Sequence, residues 1–290
     1  MNLLRRLTIY TVPLLVLLLA SIVPAHAQVD PLSGLDSYIT RAMEDWELPG
    51  LAIAIVKDDE VVFARGYGVR ELGQPDPVDE HTLFAVASHT KAFTATALAM
   101  LVQQGQLSWD DRVIDHMPQF RLYDPTTTRE MTVRDLLTHR QGYQTWAGDL
   151  LWWGSKLNRQ EVLHRLQYLI PDYSFRGRYG YNNMMYVAAG ELIPILTDTS
   201  WADFVTERLL RSLGMTHSTL TVRDLPERGN VATPHTRVEG KLVPIPYRNI
   251  DNTAPAGALN SSAIEMAHWL RFQLAGGRYD GVQLVDSVIF

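Results

Sequence analysis

Apolar residues recur at two different spacings along the chain, and each spacing predicts a different element. In residues 35–46 they repeat every three or four positions, which predicts a helix that ends before Pro49. Two apolar runs, 51–56 and 61–65, flank a polar turn and predict a β-hairpin. Because a two-stranded sheet is not stable alone, these strands need further partners.

Most of the remaining pattern is helical. Residues 90–104 are rich in Ala, Leu and Met and precede a glycine, which is typical of a helix. A second apolar stretch, 184–196, predicts another helix. Further helix starts are indicated by capping residues: Thr132 with Asp135, Asn158, Ser200 with Asp203, and Ser262 with Glu265. Early strands followed by many helices predict an α+β fold with a separate helical lobe.

The first 27 residues have the composition of a secretory signal peptide. Arg5 and Arg6 precede a strongly apolar run over 7–23, and an A-x-A cleavage site ends at Ala27. The apolar run is nearly long enough to span a bilayer, so an uncleaved membrane anchor is the alternative. We expect cleavage after Ala27, a periplasmic or secreted protein, and a single domain over residues 28–290.

Composition narrows the classes of function. The 290 residues carry a formal net charge of −6, which does not favour a nucleic-acid partner. The absence of cysteine excludes disulfides and thiolate metal sites. The nine histidines show no H-E-x-x-H pattern, so we expect neither a metal nor a cofactor.

The candidate chemistry lies where helix 90–104 begins. Ser88 precedes this helix, and Lys91 lies three residues later, one turn along the same face. The positive helix end favours a developing oxyanion and, together with burial, lowers a lysine pKa, so neutral Lys91 could accept the serine proton. We expect the preceding apolar run, 84–87, to be buried.

An isolated S-x-x-K is more often a capping serine beside a solvated lysine. Two observations favour the chemical interpretation here. The chain has four lysines, and only Lys91 lies three residues after a serine. Its neighbours are apolar or small, which is not typical of a solvated helix face.

A second pair of candidate residues directly precedes helix 184–196. Tyr181 and Asn183 are two residues apart. A phenol near a serine serves as general acid or base, and an amide orients a substrate carbonyl. A lone Y-x-N is more often a buried tyrosine with a capping asparagine. Tyr247 and Asn249 form the same triplet in a Pro-rich stretch, which shows that the pattern is weak.

Taken together, these segments resemble the class C β-lactamase and D,D-peptidase-type family of serine hydrolases. The matching segments follow the family order: 82–91, 104–110, 132–139, 181–183, 213–215 and 255–257. The resemblance implies a β-lactamase/transpeptidase-like α+β fold, in which an antiparallel sheet covered by helices and a helical lobe enclose a cleft. It also implies that Ser88 is acylated, that Lys91 is its base or proton shuttle, that Tyr181 protonates the leaving group and that Asn183 holds a substrate oxygen.

Three features beside these motifs carry weaker expectations. Asn182 replaces the small residue usual in the family, and we expect it to alter the pocket rim. His139 and Gly142 match a family loop, for which we expect a structural role. Trp152 and Trp153 either line an apolar entrance or, as we favour, pack against the fold.

The family's third motif, Lys-Thr-Gly or His-x-Gly on a late strand, is absent from the sequence. We therefore expect the sequence to be C-terminally incomplete. By resemblance, the segment after Phe290 would hold further sheet strands and the second oxyanion donor.

The sequence thus predicts an exported serine hydrolase that forms an acyl-enzyme on Ser88. Its partner would be a small-molecule or peptidoglycan-type substrate, and β-lactams, D-amino-acid peptides and small esters all stay open. An α/β-hydrolase is disfavoured because no G-x-S-x-G surrounds a serine. The alternative is a non-catalytic penicillin-binding-like envelope protein, and the oligomeric state is not predicted.

Overall fold

The structure, a computed structural model, describes residues 31–289, so the predicted signal peptide, 1–27, lies outside the described residues. The chain forms two compact units, one up to Glu47 and one from Leu48 onward. In the first unit, helix α1 covers Leu35–Trp46, as the apolar spacing predicts. Between residues 31 and 289, no helix is both long and apolar enough to cross a membrane.

The second unit begins with the predicted hairpin and continues with mostly short elements. In chain order these are β1 (Gly50–Lys57), β2 (Glu60–Gly68), β3 (Phe84–Ala87), α2 (Thr90–Gln103), α3 (Val113–His116), α4 (Pro125–Glu130), α5 (Val133–Leu137), α6 (Arg159–Arg165), α7 (Asn183–Thr197), α8 (Trp201–Val205), β4 (His235–Val238), β5 (Lys241–Pro244), α9 (Ala254–Gly257), β6 (Leu259–Ser261), α10 (Ala263–Leu274), β7 (Arg278–Tyr279) and β8 (Val282–Gln283). Each predicted capping residue accepts the expected backbone N–H at its helix start.

Strands β1 and β2 pair antiparallel, with a bulge between Ile55 and Val56. Helix α10 packs against both strands. Within the described residues this sheet has two strands. A helix predicted from its capping pair therefore covers the hairpin predicted from two apolar runs.

Helices α2 and α7 form the centre of the helical core. Both are buried on most of their faces, and they pack against each other and against α8 and α9. Helices that are apolar nearly all round belong in an interior. Lys91 in the first turn of α2 and Asn183 at the start of α7 are therefore placed inside the core.

The segment before Ser88 differs from our expectation of a buried run. Residues 84–87 form strand β3, whose positions alternate between half-buried and exposed. The strand pairs with β6, and it is β6 that is buried throughout. Because β3 presents only one face to the core, Ser88 emerges at the surface, where its side chain is exposed.

Candidate active site

Ser88 lies in a tight turn between β3 and α2. The preceding residue, Ala87, has a φ of 47°, in the left-handed region that alanine rarely adopts. The hydroxyl of Thr90 donates to the Ala87 carbonyl at 2.6 Å and accepts the Leu259 N–H at 2.9 Å. The Lys91 N–H donates to the Ser88 carbonyl at 3.1 Å. These bonds hold the strained turn and place Ser88 at the start of α2.

Both predicted partners contact the Ser88 hydroxyl. Lys91 Nζ lies 3.1 Å from Ser88 Oγ, and the Tyr181 hydroxyl donates to the same oxygen at 2.6 Å. Hydrogen-bond distance between nucleophile and base is the first geometric requirement of acyl transfer by a serine. The structure therefore brings together the three side chains for which the sequence predicts a catalytic role.

The amine of Lys91 is almost fully buried, with 6% of the residue exposed. Nζ donates to Asn183 Oδ1 at 2.8 Å and to the Ala256 carbonyl at 2.7 Å. Burial lowers the pKa of Lys91 to about 8, against an opposing effect of the negative charge on Asp149. Part of the lysine population is therefore neutral just above neutral pH.

The hydrogen bonds around Lys91 match the needs of a neutral amine, which has two N–H groups and one lone pair. Asn183 Oδ1 and the Ala256 carbonyl oxygen can only accept, so they engage both N–H groups. In this neutral form the lone pair is left for the third neighbour, Ser88 Oγ, to which Nζ donates when it is protonated. This arrangement is suited to removing the hydroxyl proton of Ser88.

Tyr181 lies against other aromatic rings. The His139 ring centroid is 4.6 Å from that of Tyr181 and 5.4 Å from that of Tyr186. Burial raises the pKa of Tyr181, partly opposed by its hydrogen bond to the serine, so the phenol keeps its proton near neutral pH. Burial and the charge of Lys91 lower the pKa of His139 to about 4, and its Nδ1 accepts the Asn182 N–H at 3.1 Å. A neutral, packed ring agrees with the structural role expected of His139.

The Asn183 side chain connects Lys91 to a carboxylate that the sequence did not indicate. Its Nδ2 donates to both oxygens of Asp149, at 3.1 and 3.0 Å. Trp152 Nε1 donates to the same carboxylate at 2.9 Å. Asp149 lies 34 residues before Asn183, in a loop that the sequence marks only by its tryptophans, so no spacing pointed to it. The substrate-binding role of Asn183 stays a prediction.

Two expectations about neighbouring residues have different outcomes. Asn182 is fully buried, accepts the Met185 N–H at 3.3 Å and donates to the Ala147 carbonyl at 2.8 Å. The expectation that it alters the pocket rim is therefore wrong, because its side chain caps α7. Of the two tryptophans expected to pack against the fold, Trp152 packs against the hydrophobic core. Trp153 is exposed, and the Arg248 guanidinium lies over its ring, 4.3 Å from the centroid. In the part of the chain that the structure describes, no group of His, Asp and Glu side chains could hold a metal ion.

The fold and these residues agree with one family. The sequence model of the Beta-lactamase family matches residues 35–286, and the chain belongs to this family. The structure of the octameric penicillin-binding protein homologue from Pyrococcus abyssi is similar, with a TM-score of 0.75 at 26% identity. The similarity covers 90% of this chain and 59% of that one. The predicted β-lactamase/transpeptidase-like α+β fold is thereby confirmed.

Curated relatives are similar at lower coverage of their own length. Unguisins hydrolase ungD from Aspergillus violaceofuscus (strain CBS 115571) is 29% identical over 254 residues, which are 83% of this chain and 45% of that protein. Protein flp from Staphylococcus aureus (strain NCTC 8325 / PS 47) is 27% identical over 244 residues, 83% of this chain and 48% of that protein. The chain thus spans about half the length of the curated relatives it matches.

Proposed function

We propose that this chain is an exported serine hydrolase that forms an acyl-enzyme on Ser88 and hydrolyses a lactam, amide or ester bond. One observation carries the proposal: Lys91 Nζ and the Tyr181 hydroxyl both lie within hydrogen-bond distance of one exposed serine oxygen. Membership of the Beta-lactamase family supports it. The substrate is a small molecule or a peptidoglycan-type peptide.

In acylation, neutral Lys91 accepts the Ser88 proton while Oγ bonds to the substrate carbonyl carbon. The carbonyl electrons move onto the oxygen, where the Ser88 backbone N–H at the positive end of α2 would be one donor to the oxyanion. When the carbonyl re-forms, the bond to the leaving group breaks and the leaving group takes the proton of Tyr181. The acyl-enzyme then has a protonated Lys91 and an ionised Tyr181.

Deacylation returns both protons. A water molecule gives its proton to the ionised Tyr181 as its oxygen bonds to the acyl carbon. The ester bond to Ser88 then breaks, and Oγ recovers its proton from Lys91. The cycle consumes one water, releases the acid and leaves all three side chains as they began.

The test replaces the nucleophile in the full-length protein. We expect Ser88→Ala to abolish hydrolysis of a chromogenic ester and labelling by a fluorescent penicillin or a fluorophosphonate. Ser174→Ala, at an exposed serine in another loop, is the matched control and should keep wild-type rates. Substantial hydrolysis by folded Ser88→Ala would refute the assignment. A wild-type protein that no lactam, ester or D-peptide acylates would instead support the non-catalytic binding protein.

We further propose that the protein is periplasmic or secreted after cleavage behind Ala27. The basic start, the apolar run and the A-x-A site support this location. N-terminal sequencing of the protein from its native host should find Gln28. Retention of Met1 would favour the membrane anchor.

A further inference from the structure

Asp149 is connected to the site through the side chain of Asn183, and not through Ser88. It begins a short 3-10 helix, Asp149–Leu151, and its half-buried carboxylate accepts from Asn183 Nδ2 at 3.1 and 3.0 Å. The other end of the same amide, Oδ1, accepts from Lys91 at 2.8 Å. One amide group therefore separates a carboxylate from an amine.

We propose that Asp149 is a positioning residue that holds the Asn183 amide with its oxygen, and not its nitrogen, towards Lys91. An amide can rotate by half a turn with little change in shape, so its orientation is decided by the hydrogen bonds at its two ends. A carboxylate can only accept. In the rotated amide, Oδ1 would face Asp149 and be repelled by its charge, and both hydrogen bonds from Nδ2 to the carboxylate would be lost.

The orientation of this amide decides whether Lys91 is available as a base. Were Nδ2 turned towards the neutral amine, it would donate to the lone pair that must take the Ser88 proton. With Oδ1 in that place, the two N–H groups of Lys91 are directed to Asn183 and Ala256 and the lone pair stays free. This inference rests on the proposed function, in which Lys91 is the base.

The charge of Asp149 has a separate effect on Lys91. The other titratable groups near the amine are Tyr181 and Tyr186, whose rings lie 4.8 and 5.4 Å from Nζ, and His139. Both phenols and His139 are neutral near pH 7, because burial raises the pKa of each tyrosine and lowers that of the histidine. Asp149 raises the pKa of Lys91 against the effect of burial. Loss of its charge should lower that pKa further.

The experiment measures kcat and KM for a chromogenic ester across about pH 6 to 10, with full-length wild type and Asp149→Asn. Wild-type kcat/KM should rise with pH through the Lys91 pKa of about 8, since the neutral amine is the base. In Asp149→Asn we expect the plateau of kcat to fall by about tenfold or more, because general-base catalysis is worth roughly a hundredfold or more. We also expect the acid limb, the part of the pH profile in which the rate rises, to move to lower pH. KM should change little.

Two further variants separate positioning from loop folding. Trp152→Phe removes the other donor to Asp149 and leaves the contact between carboxylate and amide, so both plateau and limb should stay as in wild type. Asp149→Ser, which can donate as well as accept and has no charge, repeats the test if Asp149→Asn does not fold. It should lower the plateau and shift the limb in the same directions.

The inference is overturned if the folded Asp149 variants keep the wild-type plateau and acid limb, or if Trp152→Phe reproduces their loss. In either case an active wild type leaves the proposed function standing. An inactive, unlabelled wild type would instead refute the proposed function itself. The two failures are therefore distinguishable.

Discussion

Lys91 has a buried, titratable amine, and its surroundings shift its pKa. Two oxygens that can only accept, Asn183 Oδ1 and the Ala256 carbonyl, are satisfied by the neutral amine as well as by the ammonium. Burial, in contrast, penalises only the ammonium. The surroundings of Lys91 therefore shift its protonation equilibrium towards the neutral amine, which can act as a base.

We predict that Lys91→Arg reduces the rate of acylation by about a hundredfold or more, although the formal charge is retained. Arginine stays protonated at any pH at which the protein is folded, so it cannot accept the serine proton. The rate of fluorophosphonate labelling measures the effect. The exposed Lys156→Arg is the control and should label at the wild-type rate. Near-normal labelling of Lys91→Arg would mean that Lys91 acts only through its charge.

At the scale of elements, the close approach of α7 and α9 places a backbone oxygen in the site. Gly190 of α7 packs directly on Pro255, and a Cβ at Gly190 would lie 2.3 Å from Pro255 Cγ. The Pro255 carbonyl also accepts from Thr94 of α2 at 2.7 Å. Because the next carbonyl along α9, that of Ala256, accepts from Lys91, the spacing of these helices sets the position of that oxygen.

We predict that Gly190→Ala destabilises the protein by about 1–3 kcal/mol through overpacking, although alanine by itself favours a helix by about 1 kcal/mol. Displacement of α9 should also lower kcat/KM. Denaturant unfolding and ester hydrolysis measure the two effects.

The matched control is Gly257→Ala, in α9 itself. There a Cβ would meet only Ile250 Cδ1 at 3.6 Å and the Ala87 carbonyl carbon at 3.9 Å, which are ordinary contacts. It should leave stability and rate nearly unchanged. If Gly190→Ala were as stable and as active as this control, the packing of α7 on α9 would not control the site.

At the scale of the whole molecule, the buried amine links folding to pH. Burial lowers the pKa of Lys91 from 10.5 to about 8. Between these values the unfolded chain binds the proton and the folded chain does not, so the free energy of unfolding should increase as pH rises through this range. Below about pH 8 the folded protein has to hold a buried ammonium, which opposes folding.

We predict that Lys91→Met removes this increase, whose slope in wild type should reach up to ~1.4 kcal/mol per pH unit. Urea unfolding of both proteins between about pH 7 and 10.5 measures it. The slope is compared within each variant, because the methionine also leaves two acceptors without their donor. Lys156→Met, at an exposed position, should keep the wild-type slope. An undiminished slope in Lys91→Met would show that another group causes the dependence.

Cleavage after Ala27 concerns a segment outside the described residues, so it stays a prediction.

Features that depend on neighbours along the chain could be predicted from the amino-acid order alone. Three such features are hairpin β1–β2, the capped helix starts and the turn that joins Ser88 to Lys91. They arise from interactions within a few residues, so the sequence pattern is enough to predict them. The family motifs add Tyr181, which meets Ser88 across 93 residues. The distance between Tyr181 and Ser88 along the chain predicts no contact, and it is the resemblance to the family motifs that implies one.

The surroundings of these residues, in contrast, depend on how distant segments pack together. It placed β3 at the surface, turned Asn182 into the helix cap and brought Asp149 to Asn183. Lys91 also donates to Ala256, 165 residues further along the chain. The accepting group there is a backbone carbonyl, which every residue possesses. This carbonyl oxygen reaches Lys91 because α9 packs against α2 and α7, and not because residue 256 is an alanine. Its position could therefore not be predicted from the order of side chains along the chain.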